Sequence, residues 1–334
     1  MEYGKTIFKC RVGSHLYGLN TPQSDEDFLS VFIPNEEHIL GLKKVEEVDN
    51  STKKSNIDSR NTSEDVDDKS YALPKFLHLL LENNPNIIEV LFATPNNILI
   101  LEPEFKELID NYRKIVSTKV LHTFTGYAFS QKKKLMVKKE RYTSLKEGLD
   151  FIEEKIFKFI DSKKNPDAFY QEILDGKFCY NISEEEASDL NRNLKYYKGE
   201  KQNCESFHKG MDLGMIYRHI KQEFDNYGWR VKTSSFNKVG YDCKFAYHLI
   251  RLLDEGKQLL STGKVVFPIS GKAREDILKI RNELLPYEDL MKMYEEYEKE
   301  MTSIVSTVQH KPDWNWADQY LIRTLKNHIL RGTI

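Results

Sequence analysis

One stretch near the start constrains the fold more than any other. It runs Val12-Gly13-Ser14-His15-Leu16-Tyr17-Gly18, a short loop, then Ser24-Asp25-Glu26-Asp27-Phe28-Leu29-Ser30-Val31-Phe32-Ile33-Pro34. An apolar segment from Thr6 to Val12 enters a turn of small residues, and a second apolar segment follows the loop. Both segments read as strands, over 6–12 and 25–33. Residues i and i+2 of a strand share a face, roughly 7 Å apart along the chain. Asp25 and Asp27 therefore stand side by side, and Glu26 points the other way. Two carboxylates on one face can share divalent ions, which two-metal phosphoryl transfer holds about 3.5–4 Å apart. Gly13-Ser14 supplies a turn whose backbone N–H groups a triphosphate can approach. Taken singly, each piece reads equally as a solvated turn before an edge strand.

The bulk properties narrow the classes open to such a chain. Its 334 residues allow two domains with a buried core. A net charge of −2 excludes a global field that steers the chain to nucleic acid or acidic membranes, so any polyanion contact must be a local patch. Cys10, Cys179, Cys204 and Cys243 form no Cys-x-x-Cys pair and no zinc-finger spacing, which points to reduced thiols in a cytosol. The N-terminus has no apolar signal core, and no run of about 18 apolar residues exists. The expectation is a cytoplasmic protein without a membrane partner, in the host cytoplasm if it is phage-encoded.

Along the chain, 36–41 reads as a helical turn, and the polar segment 43–65 as a long exposed loop or a lid. Residues 71–83 read as a helix with Leu73, Phe76, Leu77 and Leu80 on its buried stripe and Pro74 in its first turn. A short helix follows from Ile87 to Phe92. Glu89 reads as structural, pairing with a base, and His78 as packed. Beyond about residue 100 the pattern is helical to the end, with helices at 103–112, 118–142, 204–226, 272–284, 287–308 and 313–330. Residues 145–200 are charged, weakly patterned and carry no assignable chemistry. The basic run Gln131 to Arg141 is either a solvated face or faces phosphate. Lys244, His248 and Arg251 fall at i, i+4 and i+7 on one helix face, either lining a site or pairing with acids in a bundle. Asp242 before them reads as a helix N-cap.

Gly-Ser, ten intervening residues, then Asp-x-Asp resembles the signature of the DNA polymerase beta-like nucleotidyltransferase superfamily. The longer pattern Gly-Ser-x-x-Tyr-Gly-Leu-x-x-Pro-x-Ser-Asp-x-Asp is similar to one branch, bacterial and phage predicted nucleotidyltransferases. That branch often has a Gly shortly after the second Asp, where this chain has Leu29 and Ser30, neither of which would be a ligand. The resemblance returns in Lys-Phe-Leu followed by Asn-Pro and Ile-Glu-Val-Leu-Phe, in Gly126-Tyr127-Ala128 with Gln131 and Lys134, and in Gly240-Tyr241-Asp242-x-Lys244 with His248 and Arg251. It implies that Asp25 and Asp27 are metal ligands and that Gly13 and Ser14 hold the nucleotide phosphates. Lys134, Lys244, His248 and Arg251 become further nucleotide contacts. The superfamily's third carboxylate comes from a later strand, here Glu64-Asp65-Val66-Asp67-Asp68. An acid four residues before a Tyr that opens a helix selects Asp67 as third ligand or base, ahead of Asp65 and Asp68.

The resemblance implies an α+β fold: a polymerase beta-like core with a small mixed sheet and flanking helices over 1–95, then an α-helical region over 96–334 with an insertion at about 145–200. It implies transfer of a nucleoside monophosphate from a triphosphate such as ATP, with Mg²⁺ or Mn²⁺, to a hydroxyl of RNA (tRNA included), protein or a small molecule. The alternatives are a catalytically silent nucleotide- or RNA-binding module, and a regulator acting through a protein partner.

Overall fold

The computed structural model describes residues 3–22, 24–52, 66–157, 165–194, 207–232 and 236–332. Five strands form one mixed sheet in the order β3-β4-β2-β1-β5: β1 Gly4–Arg11, β2 Glu26–Pro34, β3 Glu47–Asp49, β4 Val66–Ala72 and β5 Ile98–Leu101. From Leu29 to Pro34 every residue of β2 is buried, the mark of a central strand covered on both faces. β2 runs antiparallel to β1 and parallel to β4. The hairpin loop between β1 and β2 carries a one-turn helix, α1 (Gly13–Tyr17), and α2 (Glu36–Leu40) follows β2.

Helix α3 (Leu73–Leu81) leaves β4 directly, with Pro74 in its first turn and Leu73, Phe76, Leu77, Leu80 and Leu81 buried. Phe76 and Phe105 pack at 5.5 Å, and Phe105 stacks on Phe8 of β1 at 3.8 Å, so one aromatic column joins helix to sheet. Fully buried Asn83 closes the helix at φ 52°. Its amide donates to the carbonyls of Leu80 and Ile115 and accepts from the Ser117 N–H and hydroxyl, so no buried polar atom of the side chain is left over. Then come α4 (Pro85–Ile88), a 3-10 turn over Glu89–Phe92, α5 (Pro103–Asp110) and the long α6 (Lys119–Phe157).

The sequence reading needs four corrections here. The 43–65 segment is not all loop: Glu47–Asp49 pairs with Lys69–Tyr71 as β3, and 53–65 lies outside the described residues. Tyr71 does not open the helix, because its backbone is held between Val31 and Glu47 and the ladder runs on to Ala72. Ile98–Leu101 is a strand on β1, a four-residue apolar run too short to show a period. Residues 87–92 are α4 and a 3-10 turn, not one helix.

The chain divides into two compact units: 1–128 with 249–278 and 293–334, and 129–248 with 279–292. The second contains α7 (Pro166–Leu174), α8 (Glu184–Asn193), α9 (Leu213–Lys232) and α10 (Phe236–Val239). The segment read as a patternless insertion has a core of its own. Leu145, Leu149 and Ile152 of α6 pack with Phe169, Ile173, Leu190, Ile216 and Ile220. Ser183 and Glu186 close a capping box at the start of α8. The helix read at 204–226 begins only at Leu213. Helices α11 (Cys243–Thr262), α12 (Gly271–Arg281), α13 (Tyr287–Thr302) and α14 (Trp314–Gly332) complete the chain. No described helix is long and apolar enough to cross a membrane.

Candidate active site

The parallel register of β2 and β4 sets Asp27 directly beside Asp67. Neighbouring strands lie about 4.8 Å apart, so two carboxylates here repel unless a cation or proton lies between them. Both line a cleft of about 460 Å³ in the first unit, with Gly13, Lys69, Tyr71 and Glu89 among its other walls. Alternation decides membership. Asp67, Lys69 and Tyr71 share the cleft face of β4, whereas Asp68 turns away and its carboxylate accepts from Lys9 Nζ at 2.6 Å. Asp68 is thereby engaged elsewhere, and Asp65 lies outside the described residues. Asp25 precedes the first residue of β2, is half-buried and is not among the residues lining the cleft. Glu26 points to the opposite face, where it meets Arg11 at 3.1 Å.

Gly13 sits at φ 62°, and a Cβ built on it would stand 2.2 Å from Asp27 Oδ2. The turn thus lies directly against the carboxylate, and only glycine allows both the approach and the backbone conformation. The Ser14 Oγ and His15 Nε2 atoms are buried and, among the described residues, have no hydrogen-bond partner. Buried polar atoms are normally satisfied, so these two, on the turn next to the cleft residue Gly13, are suited to a polar ligand.

Below the cleft lies a buried ionic network. The Tyr17 hydroxyl donates to the Glu89 carboxylate at 3.0 and 3.1 Å. Arg251 Nη1 donates to Glu89 at 2.8 Å and to Glu255 at 3.0 Å, and its guanidinium lies 4.3 Å from the Tyr17 ring centre. All four side chains are almost wholly buried. Glu89 is structural, as its sequence context indicated. Arg251 faces the same network and does not line the cleft. Two carboxyls share one guanidinium. Burial pushes both above the usual carboxylate range against the pull of Arg251, Glu255 to about 8.

A group raised in the folded state stabilises fully below its unfolded pKa of about 4.5 and loses that contribution as the pH climbs through about 8. Unfolding free energy is therefore expected to fall from pH 5 to pH 8.5, with a slope approaching one proton, about 1.4 kcal/mol per pH unit. Urea titrations of Glu255→Gln should show that slope flattened, and an equal slope in both proteins would contradict the assignment.

Lys134, Lys244 and His248 belong to the second unit. Lys134 is exposed, with its amine 5.9 Å from the Phe245 ring centre. Lys244 is exposed, and its N–H donates to Asp242 Oδ1 at 2.9 Å, which makes Asp242 the N-cap of α11. The His248 ring lies tilted against Tyr247, ring centres 4.2 Å apart. Lys75 pairs with Glu46 at 3.0 Å.

Among the described residues no three His, Cys, Asp or Glu side chains form a group arranged for a metal. The pair Asp27 and Asp67 still fits Mg²⁺, which binds through one or two carboxylates plus substrate phosphates and not through an all-protein cage. The sequence reading missed Lys69, Tyr71 and Asp49 as cleft residues. Counting by twos from Asp67 yields the first two.

A small mixed sheet with a Gly-Ser turn packed on one of two cross-strand acids defines a polymerase beta-like nucleotidyltransferase core. Residues 2–153 match the RNA repair pathway DNA polymerase beta family, so this part of the chain is similar to polymerase beta-like proteins. An Enterobacteria phage T4 protein, described as an uncharacterized 38.9 kDa protein in the nrdC–mobD intergenic region, is 25% identical over 344 residues. The alignment covers 97% of this chain and 98% of the phage protein. No solved structure matches the chain.

Proposed function

We propose that the chain transfers a nucleoside monophosphate from a nucleoside triphosphate to an acceptor hydroxyl and releases pyrophosphate. The observation that carries this reading is the Asp27–Asp67 register with Gly13 packed on the Asp27 carboxylate. Asp67 takes the proton of the acceptor hydroxyl. The freed oxygen attacks the α-phosphorus in line, and the bond to the bridging oxygen of pyrophosphate breaks. The Ser14 hydroxyl and the N–H groups of the Gly13-Ser14 turn donate to the departing phosphates. Mg²⁺ or Mn²⁺ bound by Asp27 and Asp67, joined by Asp25 if its carboxylate reaches the cleft, would neutralise charge gathering on the phosphoryl oxygens. The RNA repair description of the matching family makes an RNA hydroxyl the first acceptor to test.

The test incubates α-labelled triphosphates and a divalent cation with separated RNA and protein fractions. Label in RNA supports the reading, and no label in any fraction with no pyrophosphate release contradicts it. Gly13→Ala is expected to lower transfer by about 10²-fold, the cost of displacing a reacting group by about 1 Å, because the new methyl group must push the Asp27 carboxylate aside. Steady-state rates with matched melting curves check it.

A further inference from the structure

Among the described residues Lys69 is the only cation that lines the cleft, where Asp27, Asp49, Asp67 and Glu89 supply carboxylates. It is exposed and, among the described residues, forms no ion pair. Its cross-strand neighbour on β3 is Asp49, whose carboxylate accepts from the Ser51 N–H at 3.0 Å. Lys69 stands two residues beyond Asp67 on the same face, roughly 7 Å along the strand.

The sheet order places this amine. β1 and β4 flank β2 on opposite sides. The Gly13-Ser14 turn follows β1 and touches Asp27, while Asp67 and Lys69 lie on β4. The phosphate turn thus lies on the β1 side of the acid pair, and Lys69 lies on the β4 side, two residues along the strand from Asp67. With the triphosphate on the turn, Lys69 stands on the side of Asp67, where the acceptor hydroxyl must be deprotonated. A cation there meets charge on the acceptor, not on the departing pyrophosphate. Lysine binds phosphate as a point charge on a flexible stem. Tyr71, next on the same face, adds an aromatic ring of the kind on which single-stranded bases stack.

We propose that Lys69 is the acceptor-binding residue of this cleft, holding the phosphodiester one sugar away from the terminal hydroxyl of a single-stranded nucleic acid. The assignment rests on the nucleotidyl-transfer reading and narrows its acceptor, since neutral small molecules and protein hydroxyls offer no such phosphate.

The experiment measures binding of a fluorescent single-stranded RNA with a free 3′-hydroxyl, by anisotropy at several salt concentrations. It is run on the wild type, Lys69→Gln and Lys69→Arg, beside equilibrium binding of a nucleoside triphosphate. Lys69→Gln should weaken RNA binding about 10-fold and lower the salt slope by about 0.7, the share of one phosphate on a single strand. Triphosphate affinity should hold within about twofold, and Lys69→Arg should retain RNA binding. Unchanged RNA affinity and slope, or a loss confined to the triphosphate, would overturn the assignment. RNA binding is read without turnover, so failure of the transfer reading shows separately, as absent label transfer by the wild type.

Discussion

Asp27→Asn is expected to lower nucleotidyl transfer at least ~10³-fold, a barrier increase of about 4 kcal/mol, without unfolding the protein. The substitution keeps the shape that Gly13 packs against and removes only the charge. Asp67→Asn should act in the same direction, since the two side chains are cross-strand partners. Asp68→Asn is the control. It weakens the Lys9 pair on the other face of the sheet and should leave transfer largely intact. Single-turnover rates for the three variants, with circular dichroism to confirm folding, make the comparison. Equal losses at Asp67 and Asp68 would contradict the division of faces. Triphosphate binding by the wild type with no pyrophosphate release would favour a silent binding module.

The second large effect is on stability. Arg251→Met is expected to cost about 3–5 kcal/mol, because it leaves two buried carboxylates, Glu89 and Glu255, without their common partner. Set against a total folding free energy of about 5–15 kcal/mol, that is a large share, and the melting transition should fall by about 10 °C. Glu89→Gln and Glu255→Gln added to Arg251→Met should recover much of the loss, since the two buried acids that Arg251 partnered are then gone. Calorimetry of the single and triple variants checks both statements. An Arg251→Met protein as stable as the wild type would contradict the network. Tyr17 ends α1 and donates to Glu89, so this network also anchors the helix that begins with Gly13 and Ser14.

Much of the sheet and its turn was legible in the sequence because strand alternation and turn chemistry are local. The two strands around Gly13-Ser14, the buried stripe of α3 and the structural role of Glu89 all follow from spacing of two or of three to four residues. The choice of Asp67 over Asp68 was indicated by a tyrosine thought to open a helix, yet the physical ground is the pleat. Asp67 faces Asp27, and Asp68 faces Lys9. Lys69 went unread because its meaning depends on which face β4 turns to the cleft, and that face is set by pairing with β2, some 40 residues earlier in the chain. Arg251 could be placed on a helix face with Lys244 and His248, but burial is not periodic, and Arg251 alone of the three is enclosed. In 145–200 the charged composition hid an ordinary periodicity, visible in Leu145, Leu149 and Ile152.

The most direct test of the central claim compares two labels. The protein is incubated with an RNA acceptor, a divalent cation and a nucleoside triphosphate labelled on either the α- or the γ-phosphorus. Attack at the α-phosphorus predicts that α-label enters the RNA, that γ-label leaves in pyrophosphate, and that both events stop in Asp27→Asn. Transfer of γ-label to the RNA, or α-label transfer that persists in Asp27→Asn, would contradict the account.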